Sequence, residues 1–238
     1  MNQSQIPRQS RLTEFIAGAK AITPLVIGII PFGIIFGTLA QSSGLSFVGA
    51  IAMSALVFAG SVQFIVLGLL AVGTSLPIIL LTTSIVNLRH LLYALTLVTH
   101  VKHLSSIWKL VIGFWLTDEV FAVVINRYSQ KDNSAYKHWY YLGAALFIYI
   151  NWQICTVIGS IVGHSIPNAA DWGLDFIMSV TFIGMVIPYL KNKPAIATCI
   201  VSGGMALLTQ GLPHQLGLIV AAFAGIIAGM VAQKIIID

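Results

Sequence analysis

Two adjacent carboxylic acids, Asp118 and Glu119, stand in the middle of the apolar run Leu110–Ile125. An ionised side chain near the centre of a bilayer costs at least about 2.5 to 3.5 kcal/mol, so it needs a partner or a function. On a helix the two side chains point about 100° apart, which predicts one facing a cavity and one facing a neighbouring helix. Such a carboxyl group can bind a proton reversibly or neutralise the ammonium group of an amino acid. The alternatives are a buried pair with Arg89, or a loop end in place of a helix centre.

A second polar group lies in Asn87–Tyr93, late in another apolar run. At about 100° per residue its polar side chains spread across one broad arc of a helix, which needs protein or water beside it. Arg89 could bind a carboxylate through two hydrogen bonds, and His90 could relay protons near neutral pH. The alternatives are an Arg89 that reaches for lipid headgroups and a His90 that is hydrogen-bonded in the core.

A third candidate is Ala59–Phe64, where small residues and two hydrogen-bonding side chains, Ser61 and Gln63, interrupt an apolar segment. A helix break at Gly60 would expose backbone N–H groups at the start of a half-helix, and such an end can hold an anionic carboxylate. The alternative is an unbroken helix in which Ser61 bonds to its own backbone and Gln63 bonds to a neighbouring helix.

These residues belong to a chain that is 58% hydrophobic and only 8% charged, a composition outside that of soluble domains. Apolar stretches of membrane-spanning length recur along it, and their apolar residues show no strict alternation. We therefore predict an all-α polytopic integral membrane protein with about six to eight transmembrane helices, one or two of them broken or re-entrant near Gly60 and Asp118. Residues 1–20 are predicted to be a cytoplasmic N-terminal segment and residues 21–237 a single transmembrane domain. The predicted segments are Ala21–Ala40, Phe47–Ala71, Leu76–Val98, Leu110–Ile125, Tyr140–Val162, Leu174–Leu190, Ala195–Leu208 and Leu216–Ile237.

Two topologies fit these segments. If all eight cross, nine basic residues lie on the side of the N-terminus and two, Lys102 and Lys109, lie opposite, which predicts both termini in the cytoplasm. The loop Thr99–Trp108 is then the exception to the bias of basic residues toward the cytoplasmic side. If Phe47–Ala71 and Leu110–Ile125 instead enter and return on the same side, six full crossings remain and the exception disappears.

Helix-breaking residues concentrate in the first third of the chain, which predicts kinks or unwound turns there. The alternative is that the small residues let neighbouring helices approach closely. The predicted break positions are Pro31, Gly33, Gly37 and Gly60.

Several classes of protein are not supported. The two cysteines, Cys155 and Cys199, lie in apolar segments without metal-ligand spacing, and the basic residues form no nucleic-acid-binding stripe. Motifs for hydrolysis or nucleotide binding are missing from the sequence, so we expect no enzyme activity, cofactor, metal or nucleic-acid partner.

Taken together, four short stretches resemble the AzlC family, the large subunit of bacterial branched-chain amino acid exporters. The likeness covers nearly the whole chain. It implies export of leucine, isoleucine and valine, in some members also of methionine or analogues, across the bacterial cytoplasmic (inner) membrane. It also implies proton coupling and a small AzlD-type membrane subunit as partner. The stretches are Pro31-Phe32-Gly33 with Gly37, Ala59–Phe64, Asn87–Tyr93 and Leu116–Phe121.

We therefore predict a secondary active transporter that works by alternating access around a site near the bilayer midplane. The alternatives are a non-transporting scaffold or sensor subunit and a carrier of another small solute. Proton coupling is assigned to Asp118, Glu119 and His90. The predicted substrate-binding residues are Gly60, Ser61, Gln63, Arg89, Tyr93, Asp118 and Glu119.

Overall fold

The computed structural model describes residues 10–130, 134–165, 183, 187, 190–212 and 216–237. Within these ranges the chain is helical and contains no strand, which confirms the predicted fold class. The predicted segment Leu174–Leu190 lies almost wholly outside them. The helices are α1 (Arg11–Ser42), α2 (Phe47–Leu56), α3 (Gly60–Ala71), α4 (Leu76–Val101), α5 (Ser106–Phe114), α6 (Asp118–Ser129), α7 (Lys137–Ser165), α8 (Lys193–Leu208) and α9 (Leu216–Ile237).

Three helices of the described part, α1, α4 and α7, are long and apolar enough to cross a membrane. A crossing needs about 20 residues at 1.5 Å per residue, and these helices have 32, 26 and 29. Shorter apolar helices accompany them, namely α2, α3, α8 and the stretch Ile219–Ile235 of α9. The chain is a polytopic membrane protein.

The chain divides into two compact units. The first comprises Met1–Gln41, Leu45–Gln63 and Asn87–Ser165, and the second comprises Ser42–Gly44, Phe64–Val86 and Ile166–Asp238. In the second unit α8 and α9 pack closely, since a β-carbon on Gly225 would meet Ser202 and Thr198. All of the predicted functional residues lie in the first unit.

The first unit is built on α1 and α7, which pack side by side and run in the same direction. Early residues of one contact early residues of the other, and late residues contact late ones: Gly143 lies against Phe15, and Gly159 lies against Ile34. Side chains bond across the pair, for example Gln41 Nε2 to the Ser160 carbonyl at 3.0 Å. Glycine allows the two backbones to approach this closely.

The unwound turns predicted at Pro31, Gly33 and Gly37 are absent, because α1 is continuous through all three positions. Gly33 packs against Cys155, and a β-carbon on Gly37 would overlap the carbonyl oxygen of Thr156. The small residues therefore serve close helix packing, which was the alternative reading of the cluster.

A methyl group at Gly37 is expected to destabilise the protein. Gly37→Ala would push α1 away from the Thr156 carbonyl, and such overpacking typically costs about 1 to 3 kcal/mol. Gly28→Ala on the same helix is the matched control, since its β-carbon would meet nothing within 4 Å in the structure described. Thermal unfolding of the detergent-solubilised variants measures the difference. Equal melting temperatures would contradict the packing role.

The N-terminal part of α1 belongs to the packed bundle. The helix begins at Arg11, so the predicted boundary at residue 20 does not mark its start. Glu14 is buried and accepts hydrogen bonds from Arg127 Nε at 3.1 Å and from the Ser134 hydroxyl at 3.0 Å. Arg127 also forms an ion pair with Glu14 through a second nitrogen, which ties the end of α6 to the beginning of α1.

Helices α5 and α6 form a helical hairpin. Trp108, near the start of α5, packs edge-on against His138 at the start of α7, with ring centroids 4.5 Å apart. Tyr128, near the end of α6, lies beside His100 at the end of α4, with centroids 5.7 Å apart. His100, Tyr128 and His138 line one cavity, so the hairpin enters and leaves at the same end of the unit.

This geometry favours the second predicted topology for Leu110–Ile125. The loop 99–108 lies at the same end of the first unit as the end of α6 and the beginning of α7. Lys102 and Lys109 are therefore on the same side as Arg127 and Lys137, and the exception to the charge bias disappears.

The chain also turns back between α2 and α3. Gln63 Nε2 donates to the Ser54 hydroxyl at 3.1 Å, although nine residues of straight helix would separate their backbones by about 13.5 Å. The turn lies at residues 57–59, where Phe58 has a φ of 39°, a left-handed conformation that is uncommon outside glycine. The predicted breaks near Gly60 and Asp118 are both confirmed.

Candidate functional site

Arg89, in the middle of α4, is the centre of the candidate site. Its guanidinium group forms an ion pair with Asp118 at 3.0 Å and donates a hydrogen bond to the Ser61 hydroxyl. The Arg89 side chain is 30% exposed and that of Asp118 is 19% exposed, so the pair is largely shielded. Arg89 is therefore engaged by protein, as in the predicted alternative of a pair with Asp118.

Tyr93 lies one turn after Arg89 on the same face of α4. Its hydroxyl donates to Asp118 Oδ1 at 2.7 Å, and its ring stacks on Phe121 with centroids 4.4 Å apart. The His90 ring stands edge-on to Tyr93 at 5.9 Å. The structure thus brings Ser61, Arg89, Tyr93 and Asp118 into one hydrogen-bonded cluster, with His90 beside it.

Two half-helices begin at this cluster. α3 starts at Gly60, which places Ser61 in its first turn, and α6 starts at Asp118. The Thr117 side chain caps α6 by accepting a hydrogen bond from the Val120 N–H at 3.3 Å. A helix N-terminus carries partial positive charge, which stabilises the Asp118 carboxylate and can hold a bound anion.

Asp118 and Glu119 lie in the middle of the apolar run Leu110–Ile125 but at the start of a helix, which agrees with the predicted break near Asp118. Both lie in the first turn of α6, after the interruption at residues 115–117. The Asp118 side chain forms the ion pair with Arg89. Glu119 is the next residue of the first helical turn and is half-buried. The loop-end alternative describes their position correctly.

Gly60 and Gln63 have different surroundings from the Arg89 cluster. A β-carbon on Gly60 would approach Cη2 of Trp152 to 3.3 Å, so glycine lets α3 start close against α7. Gln63 is fully buried and bonds to Ser54, whose hydroxyl is 2.7 Å from that of Thr156. Gln63 therefore holds the α2–α3 turn in place and does not reach Arg89.

Helix α7 holds the tips of both hairpins. The last carbonyls of α2 receive hydrogen bonds from Tyr149 (to Ala55 O, 3.1 Å) and Gln153 (to Ser54 O, 3.0 Å). Tyr141 does the same for α5, donating to the Ile112 carbonyl at 2.7 Å. Carbonyls at a helix end lack partners within their own helix, so these side chains stabilise the two breaks.

Rings from both tips also meet on α7. Phe58 packs edge-on against Tyr149 with centroids 4.8 Å apart, and Trp115 packs against the same ring at 5.6 Å. Sequence reasoning missed Tyr149, Trp152 and Gln153. The available signal was their grouping in the middle of the apolar segment Tyr140–Val162.

Removing the Tyr149 hydroxyl is expected to weaken the α2–α3 tip. Tyr149→Phe leaves the ring contacts and takes away the partner of the part-buried Ala55 carbonyl, and the loss of one such hydrogen bond typically costs about 0.5 to 1.5 kcal/mol. The melting temperature should fall relative to wild type and to the control Tyr140→Phe on the same helix. An unchanged melting temperature would show that water replaces the hydroxyl.

The site retains unused donor capacity. Arg89 Nε and the indole N–H groups of Trp115 and Trp152 are buried without a hydrogen-bond partner among the described residues. Buried donors are normally satisfied, so the free Nε of Arg89 favours a ligand that supplies an acceptor, such as a carboxylate. The described part of the chain holds no group of three or more His, Cys, Asp or Glu residues that could bind a metal ion.

Comparisons with known proteins agree with this arrangement of a membrane protein. Inner membrane protein YgaZ of Escherichia coli is 29% identical over 231 residues, covering 93% of this chain and 90% of the relative. An uncharacterized membrane protein of Archaeoglobus fulgidus is 33% identical over 224 residues, covering 91% and 94%. The branched-chain amino acid transport protein AzlC of Bacillus subtilis is 28% identical over 207 residues, covering 82% and 80%.

No solved structure matches the chain. The family model described as AzlC protein matches residues 24–166, which is more than half of the chain and includes every residue of the Arg89 cluster. The chain belongs to the AzlC family, as the resemblance predicted.

Proposed function

We propose that the chain is a secondary active transporter that exports branched-chain amino acids by proton antiport, together with a small AzlD-type subunit. The observation that carries this proposal is the Arg89–Asp118 pair at the meeting point of two half-helix N-termini. Family membership and the name of the Bacillus subtilis relative support the choice of substrate.

An amino acid zwitterion can take the place of the internal ion pair. Its carboxylate would accept hydrogen bonds from Arg89, including the unused Nε, and from Ser61 at the start of α3. Its ammonium group would pair with Asp118. Arg89 would exchange Asp118 for the substrate carboxylate, and Asp118 would exchange Arg89 for the substrate ammonium group. No unpaired charge is therefore buried at any stage.

The side chain of the substrate would meet an aromatic surface. Tyr93 and Phe121 are stacked beside Asp118, and Trp152 and Trp115 lie along the two hairpin tips. Such a surface suits leucine, isoleucine or valine, whose transfer from water is favourable by roughly 1.5 to 3 kcal/mol for a buried side chain.

Proton coupling is assigned to Asp118 and its neighbours Glu119 and His90. Protonation of a carboxyl group beside the bound ammonium ion weakens the attraction that holds this ion, so proton entry would favour substrate release. Helices α2 and α5 both end inside the first unit. The backbone can rearrange at the breaks that follow them.

The proposed orientation of the chain in the membrane is based on the distribution of its basic residues. Arg11, Lys102, Lys109, Arg127 and Lys137 all lie at one end of the first unit. Since basic residues favour the cytoplasmic side, we assign this end to the cytoplasm of the inner membrane, with the N-terminus inside. The C-terminus is assigned to the same side on the sequence pattern alone.

A second candidate function is a scaffold or sensor subunit that does not transport. One observation favours it: Arg89 already has a carboxylate partner, as a purely structural ion pair would. Leucine should raise the melting temperature of a transporter, whereas lysine or glutamate should not. A scaffold should respond to none of the three.

The decisive experiment is leucine efflux from preloaded proteoliposomes, with and without an imposed pH gradient. The chain is tested alone and with its AzlD-type partner. Flux that depends on the gradient supports proton antiport, and flux only from the pair supports the need for the partner. An absence of flux for leucine, isoleucine and valine under both conditions would overturn the proposal.

A further inference from the structure

A cavity of about 320 Å³ opens where α4 and α6 end and α7 begins. It belongs to the first unit but shares no residue with the Arg89 cluster. Its volume lies at the lower end of the range of ligand sites. The lining residues are His100, His103, Leu104, Tyr128, Ser134, Ala135, Lys137 and His138.

The lining is rich in groups that bind anions. It contains three imidazoles and one ammonium group, and the described lining includes no carboxylate. The nearby carboxylate, Glu14, is neutralised by Arg127 and bonded by Ser134. The cavity therefore offers a positive or hydrogen-bond-donating surface to a small anion.

Tyr128 supplies an independent sign of a missing ligand. Its side chain is only 7% exposed, and its hydroxyl has no hydrogen-bond partner among the described residues. A buried hydroxyl without a partner typically costs about 1 to 3 kcal/mol, so an acceptor atom in the cavity would be stabilised there. An oxygen of an anion meets this requirement.

The beginning of α7 adds to the attraction. Lys137 and His138 are its first residues, and an N-terminus of this 29-residue helix favours a negative charge beside it. The Lys137 ammonium group donates to the Gln130 carbonyl at 2.7 Å, which keeps it near the cavity.

Two tryptophans, Trp108 and Trp139, lie beside His138 at the same end of the unit. Trp108 packs against His138, and it lies 5.4 Å from the ring of Trp139. Arg11 stands over Trp139 at 5.8 Å. Tryptophan and basic residues together mark the level of lipid headgroups, where basic pockets between helices hold lipid phosphates.

We propose that this cavity binds a phosphate group, which an anionic phospholipid headgroup presents to it. Tyr128 donates to a phosphate oxygen, the imidazoles of His100 and His138 and the Lys137 ammonium group surround the charge, and His103 closes the rim. The site would anchor the ends of α4, α6 and α7 to one leaflet, independently of which solute the chain transports.

The test uses the purified full chain in neutral detergent. Phosphatidylglycerol, phosphatidylcholine or inorganic phosphate is added, and bound lipid is counted by native mass spectrometry alongside the melting temperature. We expect phosphatidylglycerol to be retained and to stabilise the protein, with phosphatidylcholine inactive. Stabilisation by inorganic phosphate without lipid retention would assign the same site to a free ion. Equal retention of both lipids with no effect of phosphate would overturn the proposal.

Variants locate the binding. Tyr128→Phe should lower the affinity for phosphatidylglycerol about tenfold, as expected for one lost hydrogen bond to a charged group. His103→Gln, at an exposed position, should lower it without a folding defect, and Tyr140→Phe elsewhere on α7 should leave it unchanged. Wild-type affinity in both Tyr128→Phe and His103→Gln would refute the site.

Discussion

Replacing both Arg89 and Asp118 by leucine is expected to leave a folded protein that exports no leucine. The two side chains form a shielded ion pair, and breaking such a pair by removing one partner costs about 3 to 5 kcal/mol. Replacing both partners with apolar groups is often neutral, because no unpaired charge remains. The double variant should therefore recover much of the stability that each single variant loses.

Transport should not recover with stability if the pair is the substrate site. Arg89→Leu removes the group that holds the carboxylate, and Asp118→Leu removes the group that holds the ammonium ion. Truncating one side of a buried charge contact costs about 2 to 5 kcal/mol, so flux should fall on the order of a hundredfold or more in each single variant. Leucine flux in the double variant should be as low as in the single variants.

The measurements are thermal unfolding and leucine efflux for the wild type, both single variants and the double variant. Leu91→Ala, an exposed residue on α4, is the matched control and should behave like wild type in both assays. Arg89→Lys keeps the charge and loses the forked geometry, so it should retain partial flux. Wild-type flux in the double variant would assign the pair to structure and favour the scaffold function.

Most of the Arg89 cluster could be predicted from sequence because charge is scarce in this chain. With 8% charged residues and few carboxylates in apolar runs, Arg89 and Asp118 had few other partners to find. The break at Gly60 was similarly readable from small residues in mid-segment. What the sequence could not decide was whether Asp118 faced Arg89 or a substrate, since both arrangements neutralise the same charge.

The roles of Pro31, Gly33 and Gly37 could not be read from sequence. A glycine on a membrane helix fits either a break or a close approach, and only the partner helix distinguishes them. The parallel packing of α1 and α7 places the Cys155 side chain against Gly33 and the Thr156 carbonyl group against Gly37. Helices separated by more than a hundred residues give no local signal of such contact.

Uncharged polar residues on α7 were missed for a related reason. Tyr149 and Gln153 bond to carbonyls of α2 that exist as free acceptors only because α2 ends at Leu56. Their function follows from the breaks, because a helix that ends inside the unit needs side chains that bond to its last carbonyl groups. Gln63 bonds to Ser54 across the α2–α3 turn through Nε2, while its buried Oε1 has no hydrogen-bond partner among the described residues, so its role in substrate binding stays a prediction.

Substituting Glu119 by glutamine is expected to separate substrate binding from proton coupling. Among the described residues, the carboxylate that forms the ion pair with Arg89 is Asp118, and Glu119 stands beside it in the same turn of α6. We therefore expect Asp118 to hold the ammonium group and Glu119 to carry the proton. Glu119→Gln should keep leucine counterflow within about twofold and lose the stimulation by a pH gradient, whereas Asp118→Asn should lose both.

The coupling rests on the attraction between opposite charges, which is stronger in a shielded site than in water. A proton on Glu119 would remove one negative charge beside the bound ammonium ion and weaken the hold on it, which favours release of the substrate on the side from which protons enter. Leucine counterflow and gradient-driven efflux are measured in parallel, with His90→Ala as the comparison variant. Gradient-driven efflux that survives in Glu119→Gln and is lost in His90→Ala would move the proton to the imidazole, because His90 is the other titratable group beside Tyr93 and Asp118.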